Sequence, residues 1–202
     1  SPIASLRTQL ETSRNGTSVD GHAPVADLLQ ETLRMQVLVD RLLLLARADA
    51  DELDLHSTTV DLDELVLEVS AALPSARVTL DATGVRPAQV IGDPDLLEQV
   101  VRNLVQNAVR YASRQVQLRL DIEAEQVVLT VDDDGPGIPL ERRDEAFRRF
   151  ARLEAARDRD SGGVGLGLAI VAGIVEAHAG SIEVDCAPIG GARLRVRLPS
   201  GC

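Results

Sequence analysis

The chain has 202 residues, 45% of them hydrophobic and 26% charged, which is enough apolar material for one sizeable core or two small ones and too much for a wholly disordered chain. A net charge of −11, with no basic stripe interleaved with aromatic residues, excludes the ordinary kind of nucleic-acid surface. Two cysteines, Cys186 and Cys202, lack metal-ligand spacing and are too few for a disulfide framework, and no apolar run approaches the roughly 20 residues that cross a bilayer.

From the amino end, Ile3, Leu6 and Leu10 fall at helical spacing within residues 1–14, and Asn15-Gly16-Thr17-Ser18 stops that helix. A longer helix is predicted from about Pro24 to Ala50, with Leu28, Met35, Leu38, Leu42 and Leu45 stepping by three, four or seven. A lone hairpin cannot bury both faces of Leu42-Leu43-Leu44-Leu45, so pairing with a second copy into a four-helix bundle is the expected remedy. Residues 49–54 are acidic and read as a hinge. Beyond it the periodicity changes: a strand over residues 55–60, a helix over 62–73, strands near 77–81 and 89–91, then a helix from Asp93 to Tyr111. Two alternating runs, 115–122 and 126–132, read as a hairpin; a helix is expected to start near Val164, and strands to cover 181–186 and 193–198. The predicted fold is α+β: a two-layer α/β sandwich, its mixed and largely antiparallel sheet covered by helices on one face, preceded by an antiparallel helical hairpin. The expected domains are a hairpin over residues 1–50, a hinge and first strand over 51–61, and a catalytic unit over 62–202.

Three segments carry chemistry. The helix from Asp93 to Tyr111 is apolar at Leu97, Val100, Val101, Leu104, Val105 and Ala108, and polar at Gln99, Asn103, Gln106, Asn107 and Arg110. Asn103 and Asn107, four apart, present their amides the same way, and an amide oxygen suits a hard cation such as Mg²⁺. Next, Val131-Asp132-Asp133-Asp134-Gly135-Pro136-Gly137-Ile138 places carboxylates and two glycines at the end of a strand. A carboxylate there can accept from an exocyclic amine, while the glycines let a ring approach the backbone. Last, Ser161-Gly162-Gly163-Val164-Gly165-Leu166-Gly167-Leu168 opens a helix whose free N–H groups can hold phosphate oxygens, although neither a P-loop nor a dinucleotide fingerprint fits.

In this order, NLVQNAVRY, DDDGPGI and GGVGLGLAIV resemble the nucleotide-binding signature shared by sensor histidine kinases, gyrase-type ATPases and related enzymes, and Ala146-Phe147-Arg148-Arg149-Phe150 resembles the Phe-containing box of the kinases. The resemblance runs from about Pro2 to Leu198. It implies Mg²⁺ held by Asn107, metal and phosphates by Asn103 and Arg110, and the adenine amine by Asp133, with Gly135 and Gly137 shaping the pocket. It implies Gly163, Gly165, Leu166 and Gly167 at the phosphates, Tyr111 bordering the nucleotide, and Arg149 and Arg152 neutralising charge on the transferred group. Phe147 and Phe150 are expected to pack and anchor the lid. Three departures stand out: Arg110 where Lys is common, Asp134 where Asn is frequent, and Ile189 where a glycine usually opens the last glycine box.

In the hydrolysing relatives a Glu four residues before the metal-binding Asn activates water; here that position is Asn103, whose amide has no useful basicity. The resemblance therefore implies a kinase using Mg·ATP, with an ATP hydrolase or a catalytically silent dimeric scaffold as alternatives. Ser1-Pro2-Ile3-Ala4-Ser5-Leu6-Arg7 is similar to the continuation of the kinases' His-Glu-x-Arg-Ser/Thr-Pro box, which places the acceptor histidine before Ser1. His22, His56 and His178 are read as surface or capping residues. Expected partners are ATP, a response-regulator receiver domain and a second copy of the chain. The expected setting is the cytoplasmic portion of a membrane-anchored bacterial protein.

Overall fold

The computed structural model describes residues 23–50, 52–73, 77–151 and 165–201, so the predicted first helix lies outside the described residues. Internal contacts divide the chain into two compact units, Ser1–Ala46 and Arg47–Cys202. Helix α1 covers Ala23–Asp49, close to the predicted span. Within it Leu33, Val37, Val39, Leu42 and Leu43 are exposed, as expected of a helix whose apolar residues outnumber one buried stripe.

The second unit runs β1 (Thr58–Asp61), α2 (Leu62–Ala72), β2 (Thr79–Val85), β3 (Gln89–Gly92), α3 (Pro94–Tyr111), β4 (Gln115–Glu123), β5 (Gln126–Asp133), a 3₁₀ turn at Leu140–Arg142, α4 (Gly167–Ala177), β6 (Ser181–Cys186) and β7 (Ala192–Pro199). β1 and β3 form a small antiparallel pair, and the main sheet has the order β2-β4-β5-β7-β6. Every pair in it is antiparallel except β2 with β4. Alternation sorts its faces. Val116, Leu118 and Leu120 of β4 lie opposite Asp133, Val131 and Leu129 of β5, which in turn faces Leu194 and Val196 of β7. That face is buried, with α3 over β4 and β5, α2 over β2, and α4 over β6 and β7. The opposite face carries Gln117, Arg119, Asp132, Arg193, Arg195, Glu183 and Asp185, with Thr130 set between Arg119 and Arg195 and Val128 between Asp121 and Arg197.

Helix α3 is the spine of this unit. Asp93 caps it by accepting from the N–H groups of Asp95 at 3.1 Å and Leu96 at 3.2 Å, and Pro94 occupies the first turn where no N–H is needed. Leu97, Val100, Val101, Leu104 and Val105 are each at most 2% exposed, and each burial contributes roughly 1.5–3 kcal/mol.

His178 has a larger role than a surface cap. Its Nδ1 lies 2.8 Å from the Ile174 carbonyl, and its Nε2 accepts from the Asp93 N–H at 3.0 Å, an arrangement that assigns the neutral tautomer protonated on Nδ1. The other carboxylate oxygen of Asp93 accepts from the His56 N–H at 3.1 Å, so one buried knot joins the end of α4, the start of α3 and the segment before β1. A Cβ on Gly92 would sit 2.6 Å from the His178 ring, which is why the chain is bare there. His178→Ala orphans the Asp93 N–H and opens a cavity, so a loss of about 2–4 kcal/mol is expected in chemical denaturation. A loss below half a kcal/mol would contradict this account.

Candidate functional site

The three consecutive aspartates at and just beyond the end of β5 do three different things. Asp132, fully buried, points to the outer face and is held by Arg193, Nε to Oδ1 and Nη2 to Oδ2, both at 2.7 Å. Asp134 lies past the strand and turns back, its Oδ1 accepting from the backbone N–H groups of Ser113 at 2.8 Å, Arg114 at 2.9 Å and Gln115 at 3.1 Å. Those amides, Arg114's foremost, hold the Asp134 carboxyl below the usual carboxylate range. Asp133 alone points to the helix-covered face. It is 3% exposed, and its Oδ1 accepts from the Gly135 N–H at 2.8 Å and the Ala192 N–H at 3.2 Å. Burial pushes this carboxyl up, against the pull of those two N–H groups, and the charges of Asp134 and Asp132 push the same way as burial. No described residue donates to Oδ2, and that oxygen is not among the enclosed, partnerless atoms, so it is the side of the carboxylate open to a ligand's N–H.

Backbone surrounds this carboxylate closely. A Cβ on Gly135 would lie 2.4 Å from the Tyr111 carbonyl oxygen, and one on Gly191 would lie 2.3 Å from both the Asp133 carbonyl oxygen and its Oδ1. Gly137, with φ +70°, takes a conformation that side chains resist and lies beside the Gly191 carbonyl. Gly191 also donates its N–H to the Asp133 carbonyl at 3.0 Å. Sequence reasoning left Gly191 and Ala192 out of the site. The available signal was the Gly190-Gly191 pair standing directly before an alternating strand.

Along α3, Asn103, Asn107 and Tyr111 recur every four residues and so share a face over about 12 Å of helix. Asn107, Arg110 and Tyr111 are half-buried, and the Arg110 guanidinium stands 5.6 Å from the centre of the Tyr111 ring. Asn103, on the polar side of α3, is only 8% exposed, and its Nδ2 has no hydrogen-bond partner among the described residues. A buried amide left so costs about 1–3 kcal/mol, which marks the position as one shaped for something other than stability. A Cβ on Gly167 would come 3.7 Å from the Asn103 Oδ1, so the first turn of α4 faces this amide. α4 starts at Gly167 rather than near Val164, because Gly165 has φ +76° and cannot continue a right-handed helix. A Cβ at Gly165 would also strike the Ala151 carbonyl at 2.7 Å.

The structure therefore brings together Asn103, Asn107, Arg110 and Tyr111 on α3, Asp133 with Gly135 and Gly137, and Leu166 and Gly167 at the entry to α4. Arg149 is paired with Asp49 at the end of α1, and the backbone of the next two residues, Phe150 and Ala151, closes on Gly165. Phe147 is half-buried, but Phe150 is 57% exposed with φ +61°, so the expected packing role fails for Phe150: its left-handed backbone turns the ring outward. Arg152 and Gly163 lie outside the described residues. Among the described residues no cluster of three or more His, Cys, Asp or Glu side chains could hold a metal, and no helix is long and apolar enough to cross a membrane.

A family model described as histidine kinase-, DNA gyrase B-, and HSP90-like ATPase matches residues 92–201. The chain is similar to the sensor protein RstB of Escherichia coli K12, 36% identical over 98% of this chain and 46% of that protein. It is also similar to the probable sensor histidine kinase TcrY of Mycobacterium tuberculosis, 39% identical over 98% of this chain and 43% of that protein. It thus spans somewhat under half the length of these relatives. Among solved structures, a mycobacterial sensor histidine kinase, MprB, superposes with a TM-score of 0.62 at 33% identity over 71% of this chain and 97% of that one. The histidine kinase AdeS of Acinetobacter baumannii, 24% identical, shares the fold with a TM-score of 0.80 over 100% of this chain and 96% of its own.

Proposed function

Because this chain belongs to the histidine kinase-, DNA gyrase B- and HSP90-like ATPase family, and within it groups with sensor histidine kinases, we propose that it is the ATP-binding catalytic region of such a kinase. In the parent protein it passes the ATP γ-phosphoryl group to a histidine and from there to an aspartate of a response-regulator receiver domain. The observation that carries this reading is the sorting of Asp132, Asp133 and Asp134, which leaves one oxygen of Asp133 without a protein donor at one end of α3, while the buried Asn103 Nδ2, also without a partner among the described residues, lies about 12 Å from Tyr111 along the same helix face.

In this reading Asp133 accepts the adenine amine, Gly135, Gly137 and Gly191 admit the ring, and Tyr111 borders it. Asn103, Arg110, Gly163, Gly165, Leu166 and Gly167 meet the phosphates, where the unpaired N–H groups opening α4 favour negative charge. The donors fit a hard cation held chiefly by phosphate, since α3 offers amide oxygens and no acidic cluster competes among the described residues. Mg²⁺, held by Asn107, supplies neutralisation of the phosphate charge. Arg149 and Arg152 stabilise the charge on the group in flight, which requires Arg149 to leave Asp49.

Asn103 cannot deprotonate water, which favours transfer to an acceptor over hydrolysis. The exposed Leu33, Val37, Val39, Leu42 and Leu43 of α1 support a homodimer through the helical region. A membrane-tethered parent is part of the proposal.

Asn107→Ala is expected to weaken Mg·ATP binding at least tenfold in calorimetry while the fold persists, since about 1.5–3 kcal/mol accompanies loss of one bond to a charged group. Unchanged affinity would sink the site. Steady-state phosphate release without histidine labelling, in the parent protein, would favour the hydrolase instead.

A further inference from the structure

We infer that Asp134 is a positioning residue for the base pocket: its carboxylate pins the turn after α3 to the end of β5 and so sets the distance between Tyr111 and Asp133. This inference rests on the nucleotide reading above. The side chain faces three successive backbone N–H groups, those of Ser113, Arg114 and Gln115, at 2.8, 2.9 and 3.1 Å from one oxygen, and Arg114 also reaches the second oxygen at 3.1 Å. Its own N–H donates to the Gln115 carbonyl at 3.3 Å, so the two segments are tied in both directions.

The position of these bonds gives them their consequence. Ser113 follows Ala112, which caps α3 directly after Tyr111, and Asp134 sits between Asp133 and Gly135. Gly135 in turn lies so close to the Tyr111 carbonyl that no Cβ fits between them. Two walls of one pocket, the end of a helix and the end of a strand, thus meet at a single carboxylate. Hydrogen bonds from N–H groups to a charged acceptor are roughly twice as strong as neutral ones, and a turn held by several is more rigid than one held by backbone alone. Asp134 touches no ligand atom in this account. It acts through Tyr111 and Gly135.

The oxygen, more than the charge, is what the turn requires. An Asn keeps an Oδ1 that can accept from the same three N–H groups, whereas Ala leaves all three to water and lets the turn drift.

The test measures adenosine, ADP and inorganic tripolyphosphate binding by calorimetry in the chain carrying Asp134→Ala, Asp134→Asn or Asp133→Asn. Asp134→Ala is expected to weaken adenosine and ADP alike by about tenfold, to leave tripolyphosphate unaffected, and to be rescued by Asp134→Asn to within about threefold of the unaltered chain. A stability defect alone, with base affinity preserved in the folded protein, would overturn the inference, as would equal losses in the Ala and Asn variants. Should Asp134→Ala fail to fold, Asp134→Ser keeps one acceptor oxygen, and an intermediate loss is then expected; full affinity would count against the inference. Asp133→Asn separates the two readings: if it binds adenosine normally, the base pocket itself is misplaced, whatever Asp134 does.

Discussion

Asp133→Asn is expected to lower ATP affinity roughly 100-fold while the unliganded protein melts no earlier, because the substitution replaces with a donor the acceptor proposed to face the adenine amine. The amide oxygen must stay where Oδ1 is, since the Gly135 and Ala192 N–H groups point at it. Its NH₂ then takes the place of Oδ2 and confronts another NH₂. The lost charge-assisted bond and the unpaired donor together amount to about 3 kcal/mol, hence the factor of 100. Stability should move the other way or not at all. Burial holds the Asp133 carboxyl above the ordinary carboxylate range, so the folded chain retains a proton that the unfolded chain has already released. Between the ordinary value and the raised one, stability falls as pH rises, and above both the cost of the buried charge is fully present. Asparagine removes that cost. The same shift gives ATP affinity a pH dependence: binding weakens as pH falls through the raised value, earlier than an ordinary carboxylate would allow, and Asp133→Asn lacks that step. Calorimetry across pH, paired with thermal melts without nucleotide, reads both halves. A variant that melts early yet binds ATP as before would show that Asp133 is structural.

Much of this arrangement was legible because it is local. α3 announces itself through a 3.6-residue apolar period with Asp93-Pro94 at its start, and β4 and β5 through strict alternation around a short turn. Alternation also separates Asp132 from Asp133, since neighbours in a strand face opposite ways. What stayed hidden is what depends on distant partners. Arg193 meets Asp132 from 61 residues away, Ala192 reaches Asp133 from 59, and His178 reaches Asp93 from 85. The burial of Asn103 was hidden too, because α4 covers a stretch of α3 that the helix's own periodicity marks as polar. Nor could periodicity place the start of α4, where a left-handed Gly165 delays the helix past the apolar residues that suggested it. Functional positions are where local rules fail: Asn is a poor choice for a buried helical site, and three adjacent carboxylates repel one another.

Alternation turns Asp132 to the outer face, where Arg193 holds its charge, and Arg193→Ala is expected to cost about 3 kcal/mol in urea denaturation, near the lower end for breaking a buried pair. The size follows from asymmetry in burial. Asp132 is entirely enclosed, whereas the Arg193 side chain is 17% exposed, so removing the arginine leaves a carboxylate with no partner and little water. The fork geometry, two bonds at 2.7 Å, makes Lys a poor substitute. By contrast the exposed pair Arg86 with Asp121, at 3.3 Å, should contribute about 0–1 kcal/mol, and Arg86→Ala serves as the control. Replacing both Asp132 and Arg193 by Val, which suits a strand, should restore most of the stability, because neither charge then needs a partner. A double-mutant cycle therefore distinguishes a required ion pair from a required absence of unpaired charge. If Arg193→Ala falls within half a kcal/mol of the unaltered chain, water reaches Asp132 after all. The pair on the outer face of β5 would then be one more solvated ion pair, worth no more than Arg86 with Asp121.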